Sequence, residues 1–261
     1  MIDIHCHILP EVDDGPGSME ESMQMVRMAV EEGIDTIIST SHFHTEMNYI
    51  TGAQLKERID IFNYELEKNG IYLKVLPGNE LYYNDELLKR IDEAGFNTLA
   101  GSRYVLIEFR PDRLPDNMEE VAYEFRLRGY IPIIAHIERY SAVMEDLEIA
   151  SEFISYGFLL QMNARSLISR RDPEYTKMCR SMLQRRMIHF VASDAHDARI
   201  RVPALSDAYN KAKELVGERL ADEIFVSNPN KIILNEPIEP FEITAEKKSL
   251  LSSFMGRISR K

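Results

Sequence analysis

Short apolar runs alternate with longer amphipathic stretches from the first residues to about position 192. Runs rich in Ile, Leu and Val predict strands over 2–7, 36–41, 72–77, 104–109, 131–135, 158–162 and 189–192. Between them, helical spacing of apolar residues predicts helices over 18–32, 51–69, 84–93, 118–128, 146–155 and 173–185. The first carries Met23, Val26 and Val30 on one face, and Gly33, Gly70 and Gly129 stand where helices should stop. Strands that are apolar along their length are those of a parallel sheet covered on both faces. Seven β-then-α repeats with short turns therefore predict an α/β fold, a closed or nearly closed barrel.

Composition narrows the class. With 261 residues and 44% hydrophobic content, the chain buries a full core. We expect one domain over 1–240 and a tail of different character over 241–261. A net charge of −12 argues against a nucleic-acid binder, since no cation excess is there to displace phosphate counterions. It leaves an anionic substrate open, because bound cations reverse the sign locally. Cys6 and Cys179 make no disulfide framework and suggest a reducing compartment. Strand-like sequence from residue 2 leaves no room for a signal peptide, and no run approaches the ~18 apolar residues of a membrane span. The expectation is a soluble cytoplasmic protein.

The polar residues that break the pattern cluster at the ends of the predicted strands. His5 and His7 close the first, two residues apart, so their imidazoles project to one side while Ile4 and Cys6 should face the other. Asp13 and Asp14 follow. His42 ends the second strand, Glu80 follows the third, Glu108 lies in the fourth and His136 ends the fifth. Gln161 and Asn163 flank the end of the sixth, and Asp194 with His196 repeats the two-residue spacing after the seventh. A strand-end histidine is ordinarily a hydrogen-bonded loop group, and a lone Glu in a strand an edge or salt-bridge residue. In a β/α barrel, however, all these ends converge on one mouth. Imidazole and carboxylate without thiolate suit manganese, iron or zinc. Nine candidate ligands exceed the needs of one ion and imply two or three, sharing a carboxylate. Such ions bind phosphate oxygens and acidify a bound water. Arg139 and Arg201, just past metal-binding strand ends, could grip phosphate with a planar fork; the alternative is a solvated loop charge.

The stretches MIDIHCHILPEVDDGP, ISTSH, GNELYY, SRYVLIEF, PIIAHIERY, VASDAH and NPNKII together resemble the polymerase-and-histidinol-phosphatase (PHP) superfamily. Within it they are similar to the CpsB/CapC-type bacterial protein-tyrosine phosphatases of capsule and exopolysaccharide regulation. The resemblance spans residues 1 to about 234. It implies a distorted TIM-like (β/α)7 barrel and a manganese-dependent hydrolase acting on phosphotyrosine. By position, it implies one ion on His5, His7, Glu80 and Asp194, a second on Glu80, Glu108 and His136, and a third on Asp14, His42 and His196, with Glu80 bridging. Asp14 stands where many relatives in the superfamily carry a histidine, which fits the tyrosine-phosphatase branch. His44 has no counterpart and is left as a rim residue; His189 is expected to be structural.

The implied substrate is a phosphotyrosine protein, a cognate bacterial tyrosine autokinase. A histidinol-phosphate or other small phosphoester phosphatase, and a non-catalytic metal-binding regulator, are the competing readings. The general acid is open between Asp194 and a bound water. Cysteine-based transfer is not expected, since no Cys-x5-Arg loop follows Cys6. In the tail, Leu250, Leu251, Phe254 and Ile258 fall on one helical face among basic residues. That pattern suits peripheral contact with an anionic membrane or a partner, against the alternative of a solvated tail.

Overall fold

A computed structural model describes residues 1–46 and 50–244. The tail pattern at Leu250–Ile258 lies outside them. Among the described residues there are nine parallel strand segments: β1 (Ile2–Cys6), β2 (Thr36–Ser39), β3 (His42–Phe43), β4 (Lys74–Pro77), β5 (Glu80–Tyr82), β6 (Tyr104–Glu108), β7 (Ile131–Ile134), β8 (Leu159–Asn163) and β9 (Phe190–Ala192). They amount to the seven strands expected, because two strands are broken in the middle. β2 and β3 pair with β4 and β5 respectively. The interruptions, Thr40–Ser41 and Gly78–Asn79, lie between the two halves. A side chain at Gly78 would meet Ile38 Cγ2 at 2.7 Å, so the close approach of these strands requires glycine there.

The order runs β4-β2-β1 on one side and β3-β5-β6-β7-β8-β9 on the other. The ring closes where Cys6 pairs in parallel with Ala195: Asp194 N–H donates to the His5 carbonyl and His7 N–H to the Ala195 carbonyl, both at 2.8 Å. The sheet is thus a distorted seven-strand barrel, as the repeat pattern predicted.

Helices α1 (Met19–Glu31), α2 (Gly52–Lys68), α3 (Asp85–Lys89), α4 (Met118–Leu127), α5 (Ser141–Glu145), α6 (Glu148–Tyr156), α7 (Ala164–Ile168) and α8 (Pro173–Gln184) follow their strands. Their caps are those the sequence offers: Ser18 accepts from Glu21 N–H, Thr51 forms a reciprocal capping box with Gln54, and Asp172 accepts from Tyr175 N–H ahead of Pro173. The third helix is shorter than the 84–93 expected. The pattern did not predict the short α5 and α7, nor, among the described residues, α9 (Ser206–Val216), α10 (Glu218–Asp222) and α11 (Asn228–Leu234), which complete the outer layer.

Alternating strand residues divide the core. Tyr104, Leu106, Ile133, Ala135, Leu159, Phe190 and Ala192 fill the barrel with Ile2, Ile4 and Ile38. Val105, Ile107, Ile134, Leu160 and Val191 pack outward against the helices. In β1 the alternation is interrupted. Ile4 belongs to the interior cluster and Cys6 to the outer one, so these two do not share a face as expected. The cause is a register shift between Asp3 and Cys6, a local irregularity of the kind that re-aims side chains beside functional sites.

Candidate metal centre

The barrel mouth brings all nine predicted ligands together, with Glu80 at the middle. Its Oε2 lies 3.3 Å from His5 Nε2, 3.3 Å from His7 Nε2 and 3.2 Å from His42 Nδ1. Its Oε1 lies 3.0 Å from His136 Nε2. Glu108 Oε1 stands 3.4 Å from the same His136 nitrogen. Asp14 Oδ1 sits 3.2 Å from His42 Nε2 and 3.3 Å from His196 Nε2, and Asp194 Oδ1 3.4 Å from His5 Nε2. Three sets offer donor atoms mutually within 4.8 Å: His7, Asp14, His42 and His196; His5, His7 and Glu80; His42, Glu80 and Glu108. His7 and His42 each belong to two sets, so the cluster is continuous. His136 and Asp194 join it through the pairs just given.

The histidines are oriented as ligands. His136 N–H donates to Gln161 Oε1 at 2.8 Å, which fixes that amide. The same oxygen then accepts from His5 Nδ1 at 3.1 Å, leaving the His5 Nε2 lone pair turned to the cluster. Asp13 Oδ2 accepts from His7 Nδ1 at 2.8 Å, and the Asp194 carbonyl from His196 Nδ1 at 3.1 Å, with the same effect. Buried imidazole nitrogens aimed at buried carboxylates fit divalent cations of the nitrogen- and oxygen-loving kind.

The electrostatics point the same way. Burial works to lower the His7 pKa, yet hydrogen bonds to Asp13 and Glu80 outweigh it and bring it to about 10. At His136 burial is likewise outweighed, by Glu108 and Glu80, and the pKa again stands at about 10. Burial works to raise Glu80, but its electrostatic interaction with His5 and the hydrogen bonds of the surrounding imidazoles hold it well below the ordinary range. Protons and metal ions compete for such nitrogens, so the field that draws the one draws the other.

Both arginines reach Asp194. Arg139 Nη2 and Arg201 Nη2 each lie 2.8 Å from its Oδ2, where Asn163 Nδ2 also donates at 2.7 Å. Gln161 Nε2 donates in turn to Asn163 Oδ1 at 3.0 Å, so one directed chain runs from His5 through Gln161 and Asn163 to Asp194. Two candidate ligands, His136 (φ 32°) and Asp194 (φ 52°), adopt left-handed backbone that non-glycine residues avoid. Strain of about 1–3 kcal/mol each is typical of functional turns that aim a side chain.

Several contributors had only weak sequence signals. Asp13 also accepts from His42 N–H at 3.0 Å and so ties His7 and His42 together. Glu138, buried inside the IERY turn, accepts from Asn163 N–H at 3.0 Å and Ser166 Oγ at 2.7 Å. Burial pushes its pKa up. His44 stacks on Tyr82 with ring centroids 4.8 Å apart, at the rim. His189 lies away from the cluster, accepting from Leu160 N–H at 3.1 Å.

Residues 1–234 match the family described as Capsular polysaccharide synthesis, CpsB/CapC. The chain is similar to tyrosine-protein phosphatase CpsB of Streptococcus agalactiae serotype V, 32% identical over 243 residues, covering 91% of this chain and 100% of that protein. It is similar to tyrosine-protein phosphatase YwqE of Bacillus subtilis, 35% identical over 244 residues, covering 92% and 96%. Among solved structures it superimposes, with a TM-score of 0.89 and 33% identity over 95% of this chain and 100% of the other, on one from a study of YwqE from Bacillus subtilis and CpsB from Streptococcus pneumoniae, described as unique metal-dependent tyrosine phosphatases.

Proposed function

The chain belongs to the CpsB/CapC capsular polysaccharide synthesis family, and on that premise we infer how its barrel mouth works as a metal-dependent protein-tyrosine phosphatase. The observation that carries the reading is the Glu80 carboxylate set among His5, His7, His42 and His136, beside an Asp194 that two arginines share. We place two or three ions around Glu80, manganese first and iron or zinc as substitutes, held by His5, His7, Asp14, His42, Glu80, Glu108, His136, Asp194 and His196. When bound, they supply the charge that neutralises a phosphoryl group and acidifies the attacking water.

The remaining work belongs to the chain itself. Arg139 and Arg201 stand ready to turn from Asp194 to the non-bridging oxygens of a phosphate, with donors in a fork that matches them. Phosphoryl transfer needs positioning and charge stabilisation more than covalent help, and these groups provide both. Burial works to raise the Asp194 pKa, but His5 and Arg139 outweigh it and hold the group below the ordinary carboxylate range. That environment suits Asp194 to holding charge rather than donating a proton. The leaving phenolate, with a free pKa of about 10, makes modest demands on an acid. Cys6 is buried in the outer core with its thiol pKa pushed well up, unsuited to nucleophilic attack.

We further propose that the phosphoprotein is a bacterial tyrosine kinase of the capsule-forming machinery. Among the described residues no helix is long and apolar enough to cross a membrane. Two unpaired, buried cysteines support a cytoplasmic setting. Residues 1–240 form the catalytic unit in this proposal, with 241–261 as a basic tail available for peripheral membrane contact. The deciding experiment measures hydrolysis of a phosphotyrosine peptide, para-nitrophenyl phosphate and histidinol phosphate, each with and without added manganese. Metal-dependent turnover of the peptide is expected. Turnover confined to histidinol phosphate would overturn the reading.

A further inference from the structure

A cleft of about 470 Å³ opens off the metal centre at Asp194 and is not accounted for by phosphate binding. Arg139 and Arg201 form its inner end. Its outer walls are Ile168, Tyr175 and Val202, an apolar lining suited to side chains rather than to a phosphate. Arg165, at the start of α7, stands on this wall. Its Nη1 donates to the Ile200 carbonyl at 3.2 Å, across the cleft on the loop that carries Arg201. Among the described residues no carboxylate forms an ion pair with it, whereas Arg139 and Arg201 both engage Asp194.

The surroundings are cationic in an otherwise acidic protein. From Arg165 to Arg201 the sequence has nine Lys or Arg against four Asp or Glu, while the whole chain carries −12. Those four acids are already engaged. Asp194 is buried, Asp172 caps α8, Asp197 accepts from the backbone N–H groups of Arg199, Ile200 and Arg201, and Glu174 pairs with Lys177. Arg170, Arg171 and Arg199, on the two loops that frame the cleft, are exposed.

We propose that this cleft receives the polypeptide flanking the phosphotyrosine and that Arg165 selects segments with an acidic side chain beside it. The inference rests on the phosphatase reading and adds a preference to it. A bound peptide displaces the weak contact to the Ile200 carbonyl in favour of a charge-assisted one, which is the stronger bond. The cationic rim raises the encounter rate with acidic segments and repels basic ones.

The test compares kcat/KM for three phosphotyrosine peptides, flanked by glutamate, glutamine or lysine, and for para-nitrophenyl phosphate, which has no flank. Wild type is expected to prefer the glutamate peptide over the lysine peptide by about five- to tenfold, less so as salt is added. Arg165→Ala should flatten the preference and Arg165→Glu should invert it, with para-nitrophenyl phosphate turnover changed less than about twofold in both. A charge-reversed preference is a readout that mere structural damage does not produce. Equal wild-type rates on all three peptides would overturn this inference alone, as would parallel loss of every substrate in Arg165→Glu. Hydrolysis of para-nitrophenyl phosphate but of no peptide would overturn the tyrosine-phosphatase reading and this inference with it.

Discussion

Asp194 Oδ2 holds the Arg139 guanidinium at 2.8 Å, while Oδ1 of the same carboxylate faces His5 Nε2 at 3.4 Å. One side chain therefore links the nitrogens proposed to bind metal to the groups proposed to grip phosphate. Arg201 shares the same oxygen. Both arginines are thus held on a buried carboxylate rather than left as loop charges in solvent. In the proposed mechanism a phosphate takes the place of that carboxylate.

If both arginines stabilise the phosphoryl oxygens as charge redistributes, Arg139→Ala or Arg201→Ala should each lose about a hundred- to a thousandfold in turnover. Arg139→Lys should recover only part, since it keeps the charge but loses the fork. Metal content, read by elemental mass spectrometry on the same samples, should stay unchanged. Turnover within a few-fold of wild type in both alanine variants would leave the cations alone to hold the phosphate.

Glu80 faces four histidines, His5, His7, His42 and His136, whereas Asp14 stands at comparable distance from two, His42 and His196. Glu80→Ala should therefore deplete more metal per chain than Asp14→Ala, which should empty one position chiefly. Elemental analysis after equilibration with manganese checks the order. An unchanged metal content in Glu80→Ala would remove it from the bridging role.

That the strand-end polar residues gather at one mouth was legible because strand period and barrel convergence are both properties of sequence: a polar residue at the end of a buried run has one place to go. The seven-strand count was legible for the same reason. What escaped was set by local geometry. The break at Gly78 and the shift in β1 depend on how closely neighbouring strands approach, which apolar pattern does not encode. Gln161 and Asn163 could be placed near the mouth but not given a role, since an amide's partner is decided by its rotamer. The helices after residue 205 lie beyond the last strand, so the strand–helix alternation that carried the prediction offered no cue for them.

That amide chain has its own consequence. Gln161 fixes the His5 ring through Nδ1 and holds Asn163 against Asp194, yet it sits behind both proposed ligands. Gln161→Leu should lower manganese affinity or activity by about ten- to a hundredfold, as the loss of an orienting partner typically does. Activity titrated against manganese concentration measures it. A titration superimposable on wild type would mean that His5 needs no such support.

Cys6 has no place in this chemistry. Cys6→Ala should retain most activity, and thiol alkylation of the native protein should change little, because both cysteines are buried with their thiol pKa values pushed up. Chelation should abolish turnover and manganese should restore it. An enzyme sensitive to alkylation but indifferent to chelators would reverse the assignment.

His189 offers a test of stability separate from catalysis. Its ring is buried, accepts from Leu160 N–H through Nδ1 and stacks on Phe241 with centroids 5.4 Å apart. Burial alone lowers its pKa from 6.5 to about 3. The unfolded chain takes up a proton below about pH 6.5 that the folded chain refuses until about pH 3, so folding loses stability as pH falls through that window. Above pH 6.5 the contribution is fully present. At pH 5 the loss from this residue is about 2 kcal/mol relative to neutral pH. His189→Gln keeps an acceptor for Leu160 N–H but does not titrate. Urea unfolding at pH 7.5 and pH 5 should therefore show a smaller acid-induced loss in the variant, by about that amount. Equal losses in both proteins would mean that the buried ring takes up its proton without unfolding.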